Sequence, residues 1–234
     1  MLPEPGRVVA LTRYPVKSLA GEALPEAVVE PRGVVGDRRW AVYTEDGGIG
    51  SGKTTRRFRR VDGLLALAAT SNGGAPRVTA PDGRSAVAGT PGADALVTDL
   101  LGRPLRLAQE IEVPHHDEAP VHVVTTAAVR RVAELLGAPV DVARFRANVV
   151  LDGAGTGFPE DGWDGRLLAI GDDVVLRPDG GMTRCRMVDL LEGGEPADDG
   201  LLRLLGRERD TVFGLRAFVE RGGIVRVGDP ARFH

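Results

Sequence analysis

Apolar residues in this chain come in short runs, and nearly every run is cut off by glycine, proline or aspartate. A strand completes its side-chain pattern in about four to eight residues, whereas a helix needs roughly ten or more. Arg7–Thr12, Ala27–Glu30, Arg39–Tyr43, Arg77–Thr79 and Ser85–Val87 therefore read as strands. So do His122–Val124, Ala147–Leu151, Leu167–Ile170, Val174–Leu176, Leu215–Glu220 and Ile224–Val227. The 32 glycines and 16 prolines supply the turns, and their concentration over Asn72–Gly92 marks a hairpin-rich region or a linker.

Helical periodicity is clear in one place, Thr126–Leu136. There Val129, Val132, Ala133 and Leu136 share a face, Thr125 is placed to cap the first turn and Gly137 to stop the last. Shorter helices are expected at Ala93–Leu101 and Leu201–Leu205. Many short strands with few helices predict a mainly β or α+β fold built on a closed or nearly closed β-barrel. A soft boundary near residue 94 divides 1–94 from 95–234, and no internal repeat is visible.

At 234 residues and 42% hydrophobic content the chain can bury a core without staples. A net charge of −3 gives no whole-protein reason to expect nucleic acid, although it leaves room for a local anion site. No apolar run approaches the roughly 18 residues that span a bilayer, and the first residues lack the order of a signal peptide, so a cytoplasmic protein with no membrane segment is expected. Cys185, the single cysteine, cannot form an internal disulfide.

Four groups of residues invite a chemical reading. Gly47–Thr54 satisfies GxxxxGK[ST], the phosphate-cradling P-loop pattern. Its surroundings disagree: a mixed polar and apolar stretch precedes it, and the segment 55–62 holds four arginines and little apolar face. A nucleotide-hydrolysing reading is thus the remote alternative. The run Arg56-Arg57-Phe58-Arg59-Arg60 reads by default as a solvated face or loop. His115, His116, Asp117, Glu118 and His122 are metal-ligand types, but adjacent histidines in a loop seldom converge on one ion, so structural use is expected. Cys185 lies between Arg184 and Arg186 after a Gly180-Gly181 turn, where positive charge would favour the thiolate. A buried structural cysteine is the alternative, and regular strand geometry would turn both arginines away, so the chemical reading needs a loop or strand end.

Tyr14-Pro15-Val16-Lys17-Ser18-Leu19, Gly36-Asp37-Arg38-Arg39-Trp40, Arg144-Phe145-Arg146-Ala147-Asn148 and Thr183-Arg184-Cys185, in that order, resemble the MOSC family, and the resemblance covers nearly the whole chain. It implies a MOSC N-terminal β-barrel region over 1–94 and a MOSC domain over 95–234. It also implies binding of the molybdenum cofactor (molybdopterin). Lys17, Ser18 and Arg38 would hold the pterin phosphate, and Thr125 or Thr126 with Arg146, Asn148, Thr183 and Arg184 would contact the cofactor. Cys185 would ligate molybdenum and be the catalytic residue. The implied activity is an oxidoreductase component acting on small N-oxygenated substrates. The alternatives are a persulfide carrier or a cofactor-delivery module, and pyridoxal phosphate binding belongs to the same family picture. No cysteine-rich cluster segment is present, so turnover calls for separate electron-donor proteins, or for a sulfur donor in the carrier reading.

Because the P-loop context is missing, magnesium-dependent ATP or GTP binding should be negligible and unchanged by Lys53→Ala. Micromolar binding in calorimetry, abolished by that substitution, would revive the nucleotide reading.

Overall fold

The computed structural model describes residues 4–153, 155–191 and 193–234. In chain order its strands are β1 Gly6–Arg13, β2 Glu22–Leu24, β3 Glu26–Glu30, β4 Gly33–Val34, β5 Trp40–Thr44 and β6 Ile49–Ser51. There follow β7 Phe58–Arg60, β8 Ala68–Thr70, β9 Arg77–Thr79, β10 Ser85–Val87, β11 Leu105–Gln109 and β12 Val121–Thr125. The last six are β13 Val149–Leu151, β14 Leu168–Ile170, β15 Val174–Thr183, β16 Val212–Arg221, β17 Gly223–Arg226 and β18 Pro230–Phe233. Helices α1 Pro91–Leu101, α2 Thr126–Leu136 and α3 Leu201–Arg209 complete the set with a few 3-10 turns.

Seven strands close a barrel in the order β13-β12-β16-β15-β14-β18-β1, with β1 pairing back onto β13. Closure removes the exposed strand edges that an open sheet would carry. All of its neighbours are antiparallel except β12 and β13, and a parallel pair needs a crossover, which α2 provides. Leu11, Leu151, Trp163, Leu168, Ile170 and Leu176 fill the interior at 2% exposure or less. A second core lies under α1 and the four-stranded sheet β11-β5-β6-β7, around Val16, Leu19, Val42, Leu67 and Val97. The third packs α2 and α3 on the barrel through Phe145 and Phe213, whose rings stack at 3.8 Å. No helix among the described residues is long and apolar enough to cross a membrane.

The sequence expectations meet the structure most closely at α2, where Thr125 accepts a hydrogen bond from the Ala128 amide and Gly137 ends the helix in the left-handed region. The stretch 72–92 contains the β9–β10 hairpin. Strand β15 continues well past Leu176, because register shifts at Pro178 and Gly181 absorb a residue that cannot donate and a turn that would otherwise end pairing. The expected boundary near residue 94 falls inside α1. Moreover β1 pairs with β13 and β18, and β3 with β17, so the first part of the chain is woven into the barrel. Trp163 is fully buried, as a core anchor should be, whereas Trp40 is only partly so.

Gly214 marks where β16 passes His122 most tightly. Its φ is +71°, and a Cβ there would lie 2.5 Å from His122 Nε2 and 2.8 Å from the Val123 carbonyl oxygen. Gly214→Ala should therefore lower stability by about 2–3 kcal/mol in denaturant titration, combining left-handed strain with a clash. Gly83→Ala, at φ +86° with open space around it, should cost only the strain, about 1 kcal/mol.

Candidate functional site

A cleft opens at one end of the barrel, where the segments flanking several strands come together. The space between its walls is open to solvent on one side, and its lining mixes basic, polar and apolar side chains. Lys17 and Ser18 enter from the segment between β1 and β2, Arg38 from just before β5, and Arg146 and Asn148 from just before β13. Thr183 ends β15, and Arg184 and Cys185 follow it. Eight of the ten residues expected at a cofactor site thus share one cleft.

Arg38 is its organising cation. Its Nη1 donates to Asp37 Oδ2 and, at 3.3 Å, to Asn148 Oδ1, while Nη2 donates to the Arg146 carbonyl at 3.0 Å. Asp37 has no solvent exposure, and its other oxygen accepts the Tyr14 amide at 2.8 Å. Burial works against the Arg38 charge, but Asp37, Tyr14 and Asp117 together outweigh it and hold the guanidinium above its ordinary pKa. The Tyr14 ring faces two guanidinium groups, with the Arg38 carbon 4.7 Å and the Arg146 carbon 4.2 Å from its centroid.

The other cations are less well matched. Arg146 and Arg184 are brought down to about 10 by burial. Arg184 Nη2 donates to the Phe145 carbonyl at 2.8 Å, yet Arg184 Nε and Arg146 Nη2 are buried with no partner among the described residues. Lys17, 3% exposed, is lowered to about 8 by burial despite Asp117, whose Oδ2 accepts its ammonium at 3.0 Å. Lys53 Nζ lies 3.5 Å from the other Asp117 oxygen, and both lysines sit over the Phe58 ring. Buried donors without acceptors carry a desolvation cost that an incoming anion would relieve.

Backbone strain gathers here as well. Ser18, Arg38 and Arg146, with φ of 66°, 49° and 53°, occupy the left-handed region that side chains seldom adopt. Arg146 caps the 3-10 turn Val142–Phe145. That corrects the expected strand from Ala147: pairing starts at Val149, so strand alternation does not place Arg146 beside Asn148. Both still reach the cleft. Asn148, moreover, commits its amide internally, accepting from Arg38 and the His122 amide and donating to the Thr12 carbonyl at 3.2 Å. It positions Arg38.

Thr125 and Thr126 do not join the cleft. The Thr125 hydroxyl is fully buried, donates to Glu160 Oε2 at 2.7 Å and caps α2, while Thr126 donates to Asp152 at 2.9 Å. Glu160, itself raised to about 7 by burial, encloses that cap.

Cys185 follows the end of β15 and precedes the 3-10 turn Arg186–Asp189, the strand-end position that its chemical reading requires. Arg184 turns into the cleft with it, whereas Arg186 reaches outward to Asp62 at 3.8 Å. Sequence reasoning assigned no site role to Tyr14, Asp37, Lys53, His116 or Asp117. For Lys53 a signal existed, the P-loop look-alike. Asp37 lies beside Arg38 in the Gly36–Trp40 segment, but adjacency in sequence does not show that the two side chains pair. The histidines do not converge: His115 Nε2 meets the Tyr43 hydroxyl at 2.7 Å, His116 lines the cleft, and His122 Nε2 faces the Phe213 carbonyl at 3.3 Å.

Mitochondrial amidoxime-reducing component 1 from Homo sapiens is 24% identical over an alignment covering 98% of this chain and 83% of that protein. The Xenopus laevis component 1 is 29% identical over 50% of this chain and 37% of its own length, and the Rattus norvegicus component 2 is 30% identical over 52% and 39%. The chain thus matches well under half the length of the latter two. The crystal structure of the YuaD protein from Bacillus subtilis superposes with a TM-score of 0.55 at 14% identity, covering 100% of this chain and 96% of that one, a likeness of fold. The family model of the MOSC N-terminal beta barrel domain matches residues 5–101 and that of the MOSC domain residues 110–232, and on that match the chain belongs to the MOSC family.

Proposed function

We propose that the cleft holds a molybdopterin-type cofactor by its phosphate, and that the protein is an oxidoreductase component for small N-oxygenated compounds with Cys185 as the protein ligand to the metal. The observation that carries this reading is the surplus of positive charge in the cleft beside the only thiol: Lys17 and Arg38 are paired with Asp117 and Asp37, whereas Arg146 and Arg184 face no carboxylate partner and each keeps a buried nitrogen unpartnered among the described residues. The amidoxime-reducing relatives support the substrate class.

The residues fit such a group. Lys17 and Arg38 offer a cation and a guanidinium to a phosphate, the Ser18 hydroxyl would join them on leaving the Gly50 carbonyl it meets at 3.2 Å, and Arg146 Nη2 and Arg184 Nε are donors in need of acceptors. Cys185 offers a soft sulfur, which suits a thiolate-preferring metal. When bound, the cofactor supplies two-electron oxygen-atom chemistry. The chain's share is to anchor, to orient and to keep its cations fixed, with electrons delivered by a separate protein. In the persulfide-carrier reading the same Cys185 would hold transferable sulfur with no metal.

Arg146→Ala should weaken pterin retention about tenfold or more, since a charge-assisted hydrogen bond contributes roughly 1.5–3 kcal/mol. Cys185→Ser should keep the pterin and remove one sulfur neighbour from molybdenum in X-ray absorption of cofactor-loaded protein. An equal sulfur count in parent and Cys185→Ser proteins would refute the ligand assignment. Cyanide-releasable sulfur in a metal-free parent would favour the carrier.

Lys17 sets a pH limit. With its pKa lowered to about 8, it is charged below that pH, and a bound anion draws the pKa upward. Affinity for a phosphate dianion should be flat between about pH 7 and 8, above the phosphate's own second ionisation near pH 6, and fall at higher pH, where binding must take up a proton. Over the range from about 8 to the ordinary lysine value, the same residue favours folding more as pH rises, because the unfolded chain holds the extra proton there. Calorimetry in two buffers of different ionisation enthalpy measures the proton uptake, and its absence at pH 9 would remove Lys17 from the anchor.

A further inference from the structure

Asp117 stands where an anionic ligand would be held. Its two oxygens reach Lys17 Nζ at 3.0 Å and Lys53 Nζ at 3.5 Å, and these lysines otherwise contact only the Phe58 face among the charged and aromatic groups described. The carboxylate is partly exposed along the cleft, at 40% of its side-chain surface, so a solute can approach it. Burial alone would raise its pKa, but Lys17 and Lys53 prevail and hold it at about 2.

The segment 110–118 that carries Asp117 is fastened unevenly. Its first residue, Glu110, is gripped by Arg32 and Arg39, and His115 is anchored on Tyr43. Beyond His115 the contacts into the cleft are sparse. His116 Nε2 lines it, buried, with no partner among the described residues. His116 thus has no hydrogen bond that ties it to the cleft wall among the described residues. Glu118 meets the Thr183 amide at a long 3.3 Å and the Arg216 guanidinium at 3.6 Å.

We infer that Asp117 is a built-in counter-ion that occupies the Lys17–Lys53 anion position and is displaced when a phosphate group enters, loosening residues 116–118 from the cleft. The device keeps two lysines neutralised while the cleft is free of ligand, and it makes the ligand compete with an intramolecular carboxylate. It uses Lys53 and Asp117, which lie outside the anchor set of the proposed function, and rests on that function only for the larger molecule to which the phosphate belongs.

Inorganic phosphate is the probe, titrated by calorimetry into the parent, Asp117→Asn and, as a control far from the cleft, Asp82→Asn. Asp117→Asn is expected to bind phosphate about tenfold more tightly, as when a charged competitor for a charge-assisted contact is removed, with Asp82→Asn equal to the parent. Loss of a negative charge alone could tighten binding, so NMR order parameters of the backbone at 116–118 supply the second readout. In the parent, the order parameters at 116–118 should fall on adding phosphate, and in Asp117→Asn they should already be low without it. Weaker or equal phosphate affinity in Asp117→Asn, or order parameters that stay or rise with phosphate in the parent, overturns the inference. Pterin retained by a parent whose phosphate binding ignores Asp117 would leave the proposed function standing and this device refuted. Displacement by phosphate in a protein that never takes up pterin would do the reverse.

Discussion

The Arg38 guanidinium is drawn out of water at the barrel end, and the contacts that make this tolerable join stretches of chain more than a hundred residues apart. Its partners are the neighbouring Asp37, the Asn148 side chain and the Arg146 carbonyl. Asp37, with no exposure, holds the Tyr14 amide at the same time. A buried acid and a buried guanidinium each tolerate the interior only because of the other, and breaking such a pair leaves an uncompensated charge. The pair therefore fixes the relative position of the 14–20, 36–40 and 144–148 segments, and with it the shape of the cleft.

Barrel closure explains why those segments meet at all. Strand β1 runs antiparallel to β13 with Leu11 opposite Val149, so the residues after Arg13 and those before Val149 emerge at the same end. Strand β12 runs parallel to β13, so the segment before Val121 emerges there too. Lys17, Arg146 and Asp117 are thereby assembled by strand direction alone. The isolated bridge between Val16 and Trp40 then attaches the second sheet and brings Arg38 to the same place. Left-handed conformations at Ser18, Arg38 and Arg146 are stable against this background because both sides of each residue are pinned by ladder or core contacts.

What was legible in the sequence follows the range of the forces involved. The α2 cap and stop are local, so Thr125 and Gly137 could be read directly. The ordered segments located most of the cleft through resemblance. Roles that depend on distant partners stayed hidden: Lys17 and Asp117 lie 100 residues apart, and no spacing rule pairs them. Very short strands such as β2, β4 and β7 carry too few residues to show alternation, and Phe58-Arg59-Arg60 looks like a charged loop until β6 is laid beside it. Thr125 lies away from the cleft because its hydroxyl is committed locally, capping α2 through the Ala128 amide and donating to the buried Glu160, a pairing across 35 residues that the sequence does not announce.

The P-loop look-alike shows how topology overrides a motif. A phosphate cradle needs a run of free backbone amides at a helix start, with the lysine added to them. Here Ile49–Ser51 enters a strand: the Ile49 amide donates to the Arg57 carbonyl at 3.0 Å, and the Ser51 carbonyl accepts the Val61 amide at 3.0 Å. Ladder pairing engages the backbone that a nucleotide would have used, and no helix follows to align further amides. The lysine escapes this fate because its long side chain reaches past the strand end to Asp117. A stretch that cannot bind nucleotide in the P-loop manner thus still delivers one cation to an anion-seeking cleft, and that cation is set there by the pairing of β6 with β7 rather than by the glycine pattern that first drew attention to it.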